Sequence, residues 1–303
     1  MSGMRGDRMA EKSICVKGYA KINLYLDVTE KMEDGNHRVE TVMQTVSICD
    51  DVTLSLKENN GFSLRCNVSG VPTDGTNLAL RAAKLYCEAT GVPEHLHVKI
   101  EKRIPMAAGM AGGSADAAAV LVGMNRLYGT LLSPEQLCAL GRRLGADVPF
   151  CIVGGTAYAD GRGDVLHPFP SLPSCALVIA CEGEGVSTPW AYGLLDQQYH
   201  DFEEPVRHGA LQQLKKAAEQ GDLLEIARNT YNIFEEPVLA ERPVAAEIRC
   251  LLLEHGALGA MMSGSGPSVF GIFETDAQAE MAMRALAERG YTPYLCYPVT
   301  LAK

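Results

Sequence analysis

A chain of 303 residues, 47% hydrophobic and 21% charged, is long enough for two domains of ordinary size around buried cores. Its net charge of −10 argues against a nucleic-acid binder, since no basic surplus is present to neutralise phosphates. Ten scattered cysteines, with no CxxC pair and no metal-ligand spacing, suit a reducing cytoplasmic setting better than a secreted disulfide scaffold.

The opening stretch, MSGMRGDRMAEKSICV, is charged and lacks the apolar segment of a signal peptide, so residues to about Lys12 are expected to form a disordered tail. No apolar run reaches the ~20 residues of a membrane span. AKINLYLDV alternates, with Ile22, Leu24, Leu26 and Val28 on one face and Lys21, Asn23, Tyr25 and Asp27 on the other, which predicts a half-buried strand. DGNH, Asp34 to His37, is a turn, and DDVTLSL is a second strand. NLALRAAKLYCEATG is a helix that Gly91 closes. LHVKIEKRI is a strand that runs into PMAAGMAGGSADAAA, Pro105 to Ala119, a stretch with almost no side chain.

AAAVLVGMNRLYG is apolar at helical spacing, so the small-residue stretch reads as a strand-to-helix connection opening a helix near Ser114. In SPEQLCALGRRLG, Ser133 is the N-cap, Pro134 takes the first helical position, Gln136 completes a capping box and Gly145 is the C-cap. ADVPF then leads to a strand, CIVGGTAYA. In the second half, ALVIAC is a strand and VSTPWAYGLLDQQ a helix capped by Ser187 or Thr188. DLLEIARNTYNIF and PVAAEIRCLLLEHG are amphipathic helices, and ALGAMMSGSGPSVFGIF is two short strands around a Gly-Ser turn. A helix, DAQAEMAMRALAERG, and a strand, YTPYLCYPV, complete a split βαβ pattern over an antiparallel sheet. Gly and Pro cluster between Asp160 and Pro170, which places two α+β domains at 13–165 and 166–303.

A Gly-rich connection entering a helix N-terminus is physically an anion site, because free N–H groups and the helix dipole favour negative charge. Close strand–helix packing explains the same composition. No Lys follows the glycines in a Walker A frame, and G-x-G-x-x-G cannot be laid over Gly109, Gly112 and Gly113.

PMAAGMAGGSADAAA resembles the phosphate-binding loop of the GHMP small-molecule kinases, in which Pro and a spacer precede Gly-Leu-Gly/Ala-Gly/Ser-Ser. GYAKINLYLDV and GAMMSGSGPSVFGIF match the same family in the same order, and the resemblance runs from about Cys15 to Val299. AKINL at 20–24, the DG-x-H turn at 34–37 and LGADVPF at 144–150 together resemble the branch that acts on a cytidine-linked methylerythritol. The resemblance implies transfer of the γ-phosphate of ATP, with Mg²⁺, to the 2-hydroxyl of that small molecule. It also implies an N-terminal domain like domain 2 of ribosomal protein S5 and a ferredoxin-like C-terminal domain. No nucleic-acid or membrane partner is expected.

Taken alone, Asp147 is a helix-end or turn aspartate and Lys21 a strand lysine without a local partner. The resemblance makes Asp147 the general base and pairs Lys21 with it, to keep the carboxylate ionised and lower the hydroxyl's pKa. It places ATP on Pro105, Met106, Ala107, Ala108, Gly109, Met110, Ala111, Gly112, Gly113, Ser114 and Ala115, with Asn77 and Lys102 at the adenine. Ser114 can cap the helix, touch a phosphate or ligate Mg²⁺; no other protein ligand to the metal is assigned. Without the resemblance, Asn77 is as readily a helix-start residue and Lys102 a solvated lysine. Asp116 sits in the first helical turn and receives no catalytic role.

For the acceptor, the resemblance implies Asn23, His37 against the cytosine, Tyr192 stacked on the base, and Gly264 and Ser265 of the SGSGPS turn. Trp190 leaves the stacking assignment open by a turn. Relatives carry Tyr where this chain has Asn36, so one stacking ring is missing; Met110 in place of Leu conserves volume. His95 and His97 share a strand face without a third ligand and read as surface residues. The rivals are a homoserine- or mevalonate-type kinase, opposed by DG-x-H and GADVPF, and a non-catalytic ligand sensor, opposed by intact Lys21, Asp147 and loop.

Overall fold

Two long strands organise the first half. The computed structural model describes residues 13–129, 132–199, 202 and 209–301, and the tail expected up to Lys12 lies outside them. β1 (Ser13–Lys31) pairs antiparallel with β2 (His37–Leu56) along almost its whole length, and the DGNH turn joins them. The second strand therefore begins at His37, thirteen residues before the DDVTLSL expected from sequence.

After β3 (Gly61–Cys66) come α1 (Leu78–Thr90), β4 (His95–Glu101), α2 (Gly112–Leu127), α3 (Pro134–Arg142), α4 (Asp147–Val153), β5 (Thr156–Asp160) and β6 (Val165–Pro168). Gly91 closes α1 with φ 73°, a left-handed conformation that glycine adopts without a Cβ penalty. The capping box of Ser133 and Gln136 opens α3, satisfying two N–H groups the helix cannot. The first sheet runs β3-β4-β2-β1, with β5 on β2 and β6 on β5. Leu54, Ile100, Tyr86 and Leu121 are fully buried where α1 and α2 cover it.

The second half contains β7 (Ala176–Ala180), α5 (Thr188–Gln198), α6 (Ala210–Gln220), α7 (Leu223–Arg228), β8 (Tyr231–Asn232), α8 (Glu235–Glu241), α9 (Pro243–Glu254), β9 (Gly259–Met262), β10 (Val269–Phe273), α10 (Asp276–Glu288) and β11 (Pro293–Cys296). Its sheet runs β11-β7-β10-β9, all antiparallel, which is the split βαβ arrangement expected. The halves interlock. β8 returns to pair with β1, and Ile22, Leu24 and Val42 share one buried cluster with Ile179 and Phe270. A division at 165/166 falls within β6.

Several local expectations change. β1 is not half-buried: Lys21, Asn23, Tyr25 and Asp27 are as buried as the apolar face. The small-residue loop covers one end of that polar face, where the Lys21 N–H donates to the Met110 carbonyl, and β8 pairs at Tyr25 and Leu26. α2 opens at Gly112, two residues before Ser114, behind Ala111 at φ 57°. Asp116 accordingly falls in the second turn. α3 ends at Arg142, and Gly145 follows as a turn residue rather than its cap. ADVPFCIV folds as the short helix α4 instead of leading into a strand, which starts only at Thr156. Gly141 allows this, since a Cβ there would lie 3.0 Å from Val148. α7 stops at Arg228, because Asn229–Asn232 turn the chain into β8.

Candidate active site

The polar face of β1, the small-residue loop, the start of α4 and the β9–β10 turn enclose one open cleft of about 620 Å³. Lys21 Nζ donates to Asn23 Oδ1 at 2.7 Å and stands 3.9 Å from Asp147 Oδ2. Asn23 Nδ2 donates to Thr41 Oγ1, which in turn donates to the Tyr25 carbonyl. This chain of bonds fixes the lysine rotamer. The Lys21 side chain is 5% exposed and that of Asp147 38%, so a buried cation faces a carboxylate open to the cleft. Asp147 occupies the first position of α4, where the helix dipole favours a carboxylate.

The loop between Pro105 and Ala111 has left-handed backbone at Ala107, Gly109 and Ala111, with φ of 50°, 72° and 57°. Alternating hand turns successive N–H groups toward one concavity, a geometry that receives anions. For the two alanines it costs ~1–2 kcal/mol each. The surroundings hold the loop there. The Val186 N–H donates to the Ala107 carbonyl, and Ser263 Oγ donates to the Gly109 carbonyl. A Cβ on Gly109 would lie 2.1 Å from the Ser263 carbonyl oxygen, so no other residue fits there. A Cβ on Gly112 would meet Lys102 and Ile104, whereas one on Gly113 would meet only Leu78, at 3.5 Å. Packing and open backbone are thus separate properties of different glycines. The N–H groups of Gly112, Gly113 and Ser114 precede the first intrahelical bond, from Ala115 N to the Ala111 carbonyl.

Asn77 lines the cleft and also caps α1, its Oδ1 accepting from the Ala79 N–H. Lys102 lines the cleft too, but it is not solvated. Its ammonium lies 2.5 Å from Asp50 Oδ2 and 2.9 Å from Asp116 Oδ2. Desolvation alone would lower its pKa, but the two carboxylates more than offset this and raise it. Burial pushes the Asp116 carboxyl up to about 7, with Lys102 opposing and Asp50 reinforcing the shift. Asp50 is fully buried and had no place in the sequence reading. The adjacent acids of CDDV, one on each face of a strand, were the available signal.

At the acceptor end the structure brings His37, Tyr192 and Asp196 together. His37 is 9% exposed, its Nε2 is 2.8 Å from Asp196 Oδ1, and its ring stacks on Tyr192 with centroids 4.5 Å apart. The two rings therefore touch each other, and Tyr192 alone of the pair lines the cleft. Phe234 packs edge-on against Tyr192 at 4.9 Å. Against the desolvation that would raise it, hydrogen bonds from Lys31 and His37 lower the Asp196 pKa. Trp190 lies under Arg242, 4.6 Å from its guanidinium, which leaves Tyr192 as the ring of α5 at the cleft. Asn36 bonds Asp34 and receives a 3.4 Å contact from Arg162, a cleft-lining residue that the sequence did not single out.

Gly264 and Ser265 line the cleft from the β9–β10 turn, which Asn232 Nδ2 secures by donating to the Met262 and Gly264 carbonyls. His95 and His97 are half-buried on β4, and His97 Nδ1 bonds Ser63 Oγ. Among the described residues no group of three or more His, Cys, Asp or Glu could hold a metal ion, and no helix is long and apolar enough to cross a membrane.

Residues 77–155 match the GHMP kinases N terminal domain, and residues 210–292 match the GHMP kinases C terminal domain. The chain is 40% identical to a 4-diphosphocytidyl-2-C-methyl-D-erythritol kinase of Lachnoclostridium phytofermentans, over 93% of this chain and 94% of that one. The chain belongs to the GHMP kinase family. A kinase of the same description from Gloeobacter violaceus is 42% identical over 94% of both chains. Among solved structures, a 4-(cytidine 5′-diphospho)-2C-methyl-D-erythritol kinase superposes with TM-score 0.76 and 32% identity, covering 94% of this chain and all of that one. Homoserine kinase of Cytophaga hutchinsonii superposes with TM-score 0.73 at 21% identity, over 98% of each chain, a likeness of fold alone. The two-domain GHMP kinase architecture read from the sequence is the one observed.

Proposed function

We propose that this chain transfers the γ-phosphate of ATP to the 2-hydroxyl of 4-diphosphocytidyl-2-C-methyl-D-erythritol, a step of the non-mevalonate route to isoprenoid precursors. The observation that carries the chemistry is the facing of Lys21 and Asp147 in the cleft that the Pro105–Ser114 loop lines. Phosphoryl transfer asks the protein mainly for positioning and charge neutralisation, with one group to take the hydroxyl proton.

Asp147 Oδ is that acceptor. The hydroxyl oxygen attacks the γ-phosphorus as the bond to the bridging oxygen breaks, the proton passes to Asp147, and ADP leaves. Lys21, held by Asn23, sets a fixed positive charge beside the oxygen that becomes negative. The loop's N–H groups and the start of α2 receive the phosphate oxygens. Its small residues and left-handed backbone fit a triphosphate. When bound, Mg²⁺ neutralises phosphate charge; among the described residues no group of three or more His, Cys, Asp or Glu could hold it, so it would be held chiefly by phosphates, with Ser114 as the protein oxygen. The ten free thiols support a cytoplasmic setting.

The test is ADP release on the cytidyl acceptor compared with homoserine and mevalonate. Turnover on the cytidyl compound alone is expected, and preference for either other alcohol would move the chain to another branch.

Base recognition gives a separate expectation. Tyr192→Ala should raise the acceptor KM. Asn36→Tyr adds a ring beside His37 and should lower that KM up to roughly tenfold, the equivalent of an aromatic contact of about 0.5–1.5 kcal/mol. kcat should hardly change, because a contact remote from the phosphate acts alike in ground and transition states. Steady-state kinetics at saturating ATP checks both, and an unmoved KM in the two variants removes the cytosine from this end of the cleft.

A further inference from the structure

Beneath the loop, three charged side chains connect its two ends. Asp50 Oδ1 accepts from the backbone N–H groups of Arg103 and Ile104, the two residues that lead into Pro105. Asp50 Oδ2 accepts from Lys102 Nζ, which also donates to Asp116 Oδ2 in the second turn of α2. A Cβ on Gly112 would come within 3.1 Å of that same ammonium, so it lies directly under the first residue of the helix. Between these anchors the chain passes through three left-handed residues, two of them alanines. Strained backbone of this kind persists only when its surroundings over-determine it.

The three side chains are themselves almost fully buried: Asp50 is 0% exposed, Asp116 5% and Lys102 9%. Two carboxylates share one ammonium, and Asp116 Oδ1 has no hydrogen-bond partner among the described residues. As a device for stability alone this is a poor one, since desolvating three charges costs about as much as their pairing returns. Its yield is positional. It fixes the distance between the end of β4 and the start of α2, and hence the direction of the N–H groups between them.

We infer that Asp50, Lys102 and Asp116 are positioning residues that clamp both ends of the 105–111 loop in its ATP-receiving shape, with the Lys102 ammonium serving as the tie rather than as a ligand of the nucleotide. The inference rests on the kinase reading only for ATP as the occupant of the loop, and it is indifferent to which alcohol accepts the phosphate.

The experiment measures the Kd of the unreactive β,γ-imido analogue of ATP by calorimetry, the acceptor KM by turnover, and the melting temperature without ligand. Asp116→Ala removes one anchor and should weaken the analogue roughly ten- to a hundredfold, the scale of losing a hydrogen bond to a charged group. Asp116→Asn keeps an oxygen for Lys102 and should lose less. The acceptor KM should stay put in both. Ala111→Gly eases the left-handed backbone, so adding it to Asp116→Ala should recover part of the affinity. Unchanged analogue Kd in folded variants overturns the clamp, as does a fall in melting temperature with affinity intact, or no recovery from Ala111→Gly. Should Asp116→Ala not fold, Asp116→Asn decides by the same readings. Analogue binding by the unaltered chain without turnover on the cytidyl acceptor would sink the assigned acceptor and leave the clamp standing.

Discussion

Asp147→Asn is expected to lower kcat by ~10²–10⁴-fold, the ordinary size of a general-base contribution. The substitution keeps the shape of the side chain and its place at the start of α4, and removes only the ability to take a proton. Because that side chain is 38% exposed and its ion pair with Lys21 is at 3.9 Å, the fold should be unaffected. Lys21→Met differs in kind. It removes the charge that faces Asp147 and also deprives the buried Asn23 Oδ1 of its donor, which costs about 1–3 kcal/mol of stability. Its melting temperature must therefore be read beside its kcat, which should fall while the ATP KM moves less. If the two residues act as a unit, the double variant loses little more than the worse single variant. Losses that multiply in full would show two independent contributions and end the assignment of Lys21 as partner of the base. A kcat in Asp147→Asn within a few-fold of the unaltered chain would end the assignment of the base itself.

The parts of the molecule that were legible in the sequence are those in which local chemistry dictates local structure. The capping box at Ser133, the glycine after α1 and the alternation of β1 each have a mechanism confined to a few residues, and a helix start, a helix end and a strand are found at those places. What was not legible depends on the other half of the chain. Alternation marks the polar face of β1 but cannot say what covers it, and here the cover is a loop some ninety residues away together with β8. Lys102 reads as a solvated strand-end lysine until the fold brings Asp50 and Asp116 to it from two other elements. The helix over ADVPFCIV was missed because β-branched and aromatic residues suggest a strand, while its packing against Gly141 on α3 decides for a helix. At the acceptor end the resemblance assigns both His37 and Tyr192 to the cytosine. It could not show that their rings stack on each other, since that depends on where the fold brings Tyr192 of α5 relative to His37 at the start of β2.

The loop's glycines divide into two kinds, and substituting one of each should separate structure from binding. Gly113 lies in the first turn of α2 with helical backbone, and a side chain there meets only the end of Leu78 at an ordinary contact distance. Gly113→Val should therefore fold with a near-unchanged melting temperature. Its methyl groups would nonetheless stand among the free N–H groups at the helix start, where phosphate oxygens must approach, so ATP binding should be lost or its KM greatly raised. Gly109→Ala should instead disturb fold and binding together. Its φ of 72° costs an alanine about 1–2 kcal/mol, and its Cβ would stand 2.1 Å from the Ser263 carbonyl oxygen, which cannot be relieved by a side-chain rotation. The loop and the β9–β10 turn would have to part, breaking the bond from Ser263 Oγ to the Gly109 carbonyl and lowering the melting temperature along with ATP affinity. Calorimetric binding of the imido analogue and thermal melts on both variants make the comparison. A Gly113→Val protein that is folded and still binds ATP normally would return the helix start to a packing role. A Gly109→Ala protein that melts like the unaltered chain would mean that the two loops need not touch.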